Sequence, residues 1–66
     1  MNILLNGKPA RFPSEITISE LLAKLDWDAR QVAVAVNGEV VPRLRFPKTA
    51  LGSGDAVEVL SPAAGG

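Results

Sequence analysis

Two Asn-Gly dipeptides, Asn6-Gly7 and Asn37-Gly38, stand between short apolar runs and constrain this 66-residue chain more than any other feature. Both members of an Asn-Gly pair tolerate positive φ, which the tight turn between paired antiparallel strands demands. Each pair therefore predicts a hairpin. The first joins a strand over residues 2–6 to one over about 8–12, and Pro9, lacking an N–H to offer a further neighbour, puts the second of these at a sheet edge. Alternation places Ile3 and Leu5 on one face and Leu4 on the other. The second hairpin joins Val32–Val36, alternating large and small residues, to Glu39-Val40-Val41, and Pro42 ends it.

Between the hairpins the apolar period changes. Ile18, Leu21, Leu22 and Leu25 recur at i, i+3, i+4 and i+7, the stripe of an amphipathic helix. Thr17 and Glu20 form a T-x-x-E capping box, and Ile16 and Leu21 hold the positions of a hydrophobic staple. Asp26-Trp27-Asp28 closes the helical region, with Trp27 expected as a packing lid on the end of the core. Arg43 to Leu51, containing Pro47, reads as an irregular crossover with a short turn of helix. Gly52-Ser53-Gly54-Asp55 is a turn that the Asp55 side chain orders through nearby backbone groups. Ala56 to Leu60 is the last strand, with Val57 and Val59 facing inward.

One helix covers only one face of a sheet. Two hairpins, a helix crossing between them and a returning strand give an α+β fold: a mixed sheet of four to five strands packed on one helix. The final strand lies centrally and parallel to the first, because a parallel neighbour requires a covering crossover. This is the β-grasp arrangement of ubiquitin, spanning residues 1–60, with 61–66 as a flexible C-terminal tail. Val32, Val34 and Val36 face the helix, which leaves Leu4, Ala33, Ala35 and Leu60 on the uncovered face beside Glu58. Grouped apolar residues on an open sheet face suggest a partner-binding surface, here Leu4, Ala35, Glu58 and Leu60.

What the chain lacks narrows its chemistry. It has no cysteine and no histidine, hence no disulfide framework, no zinc knuckle and no His-activated nucleophile. No metal site and no catalytic side chain is expected, and the dispersed acids read as caps, turns and solvated residues. Seven basic residues balance seven acidic ones, and only three large aromatics are present, which argues against a nucleic-acid surface. The longest apolar run, Val32 to Val36, is too short for a membrane span, and the first residues are too short an apolar run for a signal peptide, so a cytoplasmic protein is expected. Arg43 and Arg45 alternate and read as solvated loop residues or as contacts to an acidic partner.

After Leu60 come Ser61-Pro62-Ala63-Ala64-Gly65-Gly66, without a bulky or charged side chain. Six extended residues reach about 20 Å. Glycines admit a backbone to a cleft where any Cβ clashes, and Pro62 restricts the conformations such a tail gives up on entering.

The chain resembles the ThiS family, the ubiquitin-like sulfur carriers of thiamine biosynthesis. The resemblance rests on Ile3-Leu4-Leu5-Asn6-Gly7, Thr17-Ile18-Ser19-Glu20-Leu21-Leu22, Val34 through Arg43, Leu51 through Val59, and Gly65-Gly66. It implies a carrier and not an enzyme. Gly66 is adenylated and then bears a thiocarboxylate, while Gly65 and Ala64 allow entry into a partner's active site. The implied partners are a ubiquitin-activating-like adenylyltransferase that uses ATP, a sulfur donor fed by a cysteine desulfurase, and a thiazole synthase. No bound cofactor is implied. Pro62 resembles the tail of the small subunit of molybdopterin synthase, so a sulfur carrier for another pathway is the alternative, followed by a ubiquitin-like protein modifier.

Overall fold

In the computed structural model, which describes residues 1–61, both Asn-Gly pairs turn the chain as expected. Asn6 and Gly7 adopt φ of 52° and 81°, and Asn37 and Gly38 adopt 53° and 85°. The first turn joins β1 (Asn2–Leu5) to β2 (Lys8–Arg11), and the second joins β3 (Ala33–Val36) to β4 (Glu39–Val41). With β5 (Ala56–Leu60) they form a five-stranded sheet in the order β2-β1-β5-β3-β4. β5 runs parallel to β1 and antiparallel to β3, in the centre of a mixed sheet. Pro9 lies on the edge strand β2. The strands are slightly shorter than alternation alone suggests: β1 ends at Leu5 because Asn6 has already turned left-handed, and β3 begins one residue after Val32.

The α-helix α1 (Ile18–Lys24) is capped at Thr17, as its capping box requires. The Glu20 amide donates to Thr17 Oγ1 at 3.2 Å, and the Thr17 amide donates to Glu20 Oε1 at 2.8 Å. Such a cap contributes about 1 kcal/mol. The helix ends in a Schellman arrangement: Trp27 N–H donates to the Leu22 carbonyl at 2.9 Å and Asp26 N–H to that of Ala23 at 3.2 Å. Asp26 occupies the left-handed position, at φ 60°, where glycine is usual. Trp27 follows, half-buried against the core, as the lid expected there.

Ile18, Leu21 and Leu22 on α1 are buried against Ile3, Val34, Val57 and Val59 of the sheet. The crossover contributes more to the core than its irregular sequence suggests. Residues Arg43–Lys48 form a 3₁₀ helix that sends Phe46 inward to 2% exposure, and Leu51 follows at 1%. Ile18 N–H donates to the Thr49 carbonyl at 3.0 Å and Leu51 N–H to that of Ile16 at 2.8 Å, which straps the crossover to the start of α1. Among the described residues no helix lies over the opposite sheet face.

Candidate functional site

β5 is the strand from which the C-terminal segment leaves, and both Asn-Gly turns reach back to hold it. At its start, Ala56 N–H donates to Asn37 Oδ1 at 2.9 Å, while Asn37 Nδ2 donates to Asp55 Oδ1 at 3.0 Å. The other Asp55 oxygen accepts from Gly52 N–H at 2.8 Å, the local turn bond expected of that residue. Near its end, Val59 N–H donates to Asn6 Oδ1 at 2.8 Å and Asn6 Nδ2 donates to the Val59 carbonyl at 3.2 Å. The main chain of β1 pairs with β5 only as far as Asn6 N–H, which donates to the Val57 carbonyl at 2.9 Å. Beyond that point β1 turns away, and the side-chain amide of Asn6 supplies the next rung of the ladder.

The uncovered face gathers the residues expected there. Ala35 lies opposite Glu58, Ala33 opposite Leu60, and Leu4 opposite Ala56. Leu4 is 46% exposed and Leu60 63%. Val40 on β4, opposite Ala35 and 76% exposed, extends this surface, and with Ala33, Ala35, Glu58 and Leu60 it lines a shallow depression of about 140 Å³. Counting outward from Val41 along β4 would have found Val40. Leu44, 84% exposed, projects from the crossover between Arg43 and Arg45, both exposed.

A second depression, of about 340 Å³, lies beside the root of the C-terminal segment and is lined by Asp26, Trp27, Asp28, Gln31, Val32 and Ser61. Asp28 caps the 3₁₀ turn Ala29–Gln31 and pairs with Arg30 at 3.1 Å. Hydrogen bonds from the Arg30 side chain and backbone hold the Asp28 carboxyl below its ordinary range, and the carboxylate in turn raises the guanidinium. These are local structural bonds on a solvated rim.

Among the described residues, no polar or charged side chain is buried and no three His, Cys, Asp or Glu side chains are placed to hold a metal ion. No helix among them is long and apolar enough to cross a membrane. What this body can do chemically is present the open sheet face and fix the point where the chain leaves β5. Ala64, Gly65 and Gly66, the residues expected to carry the chemistry, lie outside the described residues.

The ThiS family model matches residues 3–66. Over all 66 residues the chain is 32% identical to the sulfur carrier protein ThiS of Escherichia coli, covering the whole of that protein. It is 35% identical over the same 66 residues to a thiazole synthase of Paramagnetospirillum magneticum, of whose length it spans only 20%. Among solved structures, a thiamine biosynthesis protein (ThiS) from Geobacter metallireducens superposes with a TM-score of 0.85 at 41% identity, over 92% of this chain and 93% of that one.

Proposed function

The chain belongs to the ThiS family, and on that premise we propose that it is a sulfur carrier of thiamine biosynthesis whose cargo is held on the carboxyl group of Gly66. It serves as a carrier rather than a catalyst. The observation that carries the reading is the extent of the family match, which runs from the first strand through the two terminal glycines, residues 3–66.

A carboxylate is a poor electrophile. Attack of the Gly66 carboxylate on the α-phosphorus of ATP, with pyrophosphate leaving, gives an acyl-adenylate whose carbonyl carbon a sulfur nucleophile can reach. A persulfide from the sulfur donor displaces AMP to form an acyl disulfide, and attack of a second thiol on the donor's sulfur releases the thiocarboxylate and leaves the donor thiols as a disulfide. The adenylating enzyme supplies the site and the ATP, and a cysteine desulfurase system supplies the sulfur. The acceptor enzyme is a thiazole synthase. That reading is supported by the similarity of the entire chain to one fifth of a protein bearing that name. The cytoplasm is the proposed location.

Each residue has a defined part in this scheme. Gly66 bears the adenylate and then the thiocarboxylate; Gly65 and Ala64 let the backbone thread a narrow cleft. Leu4, Ala35, Glu58 and Leu60, together with Val40, form the face on which the adenylating enzyme docks. Exposed apolar side chains around a shallow depression support that role. Leu60→Asp should weaken that complex while leaving the melting temperature unchanged; undiminished affinity would remove the face from the scheme.

Intact-mass analysis of the chain incubated with its adenylating enzyme, ATP and a sulfur source tests the reading. One carboxylate oxygen exchanged for sulfur, only when ATP is present, is the expected shift. A Gly66 found joined to a lysine would instead identify a protein modifier.

A further inference from the structure

Asn6 is described by its sequence neighbourhood as a turn residue, yet its side chain does more than fit a turn. Its carboxamide spans Val59, accepting from the amide at 2.8 Å and donating to the carbonyl at 3.2 Å, across a separation of 53 residues. Val59 is 3% exposed, and only Leu60 and Ser61 separate it from the end of the described chain. Among the described residues this pair of bonds is the last that holds β5 on its β1 side, because the β1 main chain contributes none beyond Asn6 N–H, while on the other side β3 pairs as far as Ala33 opposite Leu60. We propose that Asn6 is a positioning residue for the carrier's terminus: it closes the β1 side of the end of β5, and with the β3 pairing on the other side it fixes the direction in which the C-terminal segment leaves the sheet. Gly66 is thereby presented to the partner's active site from a defined origin.

The physical reason is one of orientation. A terminus seven residues beyond a fixed point searches a smaller volume than one whose last strand residues also move, and productive alignment of reacting groups is among the largest contributions to rate. Docking through the sheet face is separate from this. Loss of the Asn6 side chain therefore affects turnover of the loaded complex and leaves recognition of the carrier's body alone. The inference rests on the carrier reading above.

The molecule contains its own control. Asn37 sits in the same kind of turn at φ 53°, holds the same strand through Ala56, and lies at the end of β5 remote from the terminus. Glycine at either position keeps the left-handed turn accessible while deleting the carboxamide. Asn6→Asp keeps an acceptor for Val59 N–H and replaces the donor by a carboxylate oxygen that faces the Val59 carbonyl.

The experiment is steady-state loading of the full chain by its adenylating enzyme, with ATP and a sulfur source, for wild type, Asn6→Gly, Asn6→Asp and Asn37→Gly. Folding of each variant is checked by its amide spectrum at the assay temperature. Asn6→Gly is expected to lower kcat about tenfold with KM within about twofold, Asn6→Asp to lower kcat as well with KM likewise held, and Asn37→Gly to stay within about twofold in both constants. Equal losses in Asn6→Gly and Asn37→Gly would overturn the positioning role, as would a change confined to KM. Should Asn6→Gly fail to fold, Asn6→Asp decides alone: kcat equal to wild type overturns the proposal. A wild-type chain that remains unloaded overturns the carrier reading and this role with it, and is recognised because the failure is already in the wild type.

Discussion

The two Asn-Gly hairpins use the same dipeptide, nearly the same φ angles and the same target strand, yet they act on β5 in different surroundings. Asn37 meets β5 at Ala56, where its bonds are exposed and its second partner is the Asp55 carboxylate. Asn6 meets it at Val59, in a part-buried setting, with both bonds to main-chain atoms. A hydrogen bond that water can replace contributes less than one whose loss leaves a buried group unpaired. One turn thus anchors a loop, and the other completes the central strand of the sheet.

The sharpest way to break this contrast is to delete each carboxamide while preserving the turn. Asn6→Gly should cost about 2 kcal/mol and Asn37→Gly about 1 kcal/mol in denaturant titration. Equal costs would mean that burial does not distinguish the two sites. Asn37→Asp sharpens it next. It sets a carboxylate against Asp55 Oδ1 in place of a donor 3.0 Å away. Two like charges at that distance raise the proton affinity of the pair in the folded state, so the variant should be less stable than Asn37→Gly at neutral pH and recover as pH falls through the carboxylate range. A pH-independent deficit would show that the two carboxylates do not meet.

A third left-handed residue extends the comparison. Asp26 adopts φ 60° at the end of α1, but among the described residues its side chain makes no hydrogen bond. Asp26→Gly should therefore stabilise the fold, by about 0.5–1 kcal/mol, where the same change at Asn6 or Asn37 destabilises it. Melting curves give the sign directly.

The smallest effect concerns the ion pair on the rim beside the C-terminal segment. Because Asp28 titrates below its ordinary range when folded, its contribution is present at neutral pH and is lost as pH falls through that lowered value. Arg30→Ala should return the carboxyl toward its ordinary titration, seen by side-chain NMR, with little change in melting temperature, since the pair is exposed.

These contrasts also mark how far the sequence was readable. Hairpins, capping box, edge position of Pro9 and the central parallel strand all follow from local turn chemistry and from periodicity, and the structure places each where expected. The inward turn of Phe46 was not legible, because a 3₁₀ segment carrying Pro47 has no apolar period to expose its buried side. The left-handed Asp26 was hidden for a related reason: aspartate is a poor signal for a position that usually takes glycine. The reach of Asn6 to Val59 spans 53 residues, and nothing in the neighbourhood of either reveals it. At the candidate site, Leu4, Ala35, Glu58 and Leu60 came from strand alternation, whereas Val40 depended on knowing which side of β4 faces outward. Ala64, Gly65 and Gly66 were read from composition and resemblance alone.

In the proposed scheme the folded body presents a reactive terminus, and that terminus is Gly66. Intact-mass measurement of the wild-type chain beside one lacking Gly66, each incubated with the adenylating enzyme, ATP and a sulfur source, tests it most directly. The wild type is expected to gain sulfur in place of one oxygen while the shortened chain, folded to the same degree, keeps its unmodified mass. Sulfur on the shortened chain, or none on either, would contradict the scheme.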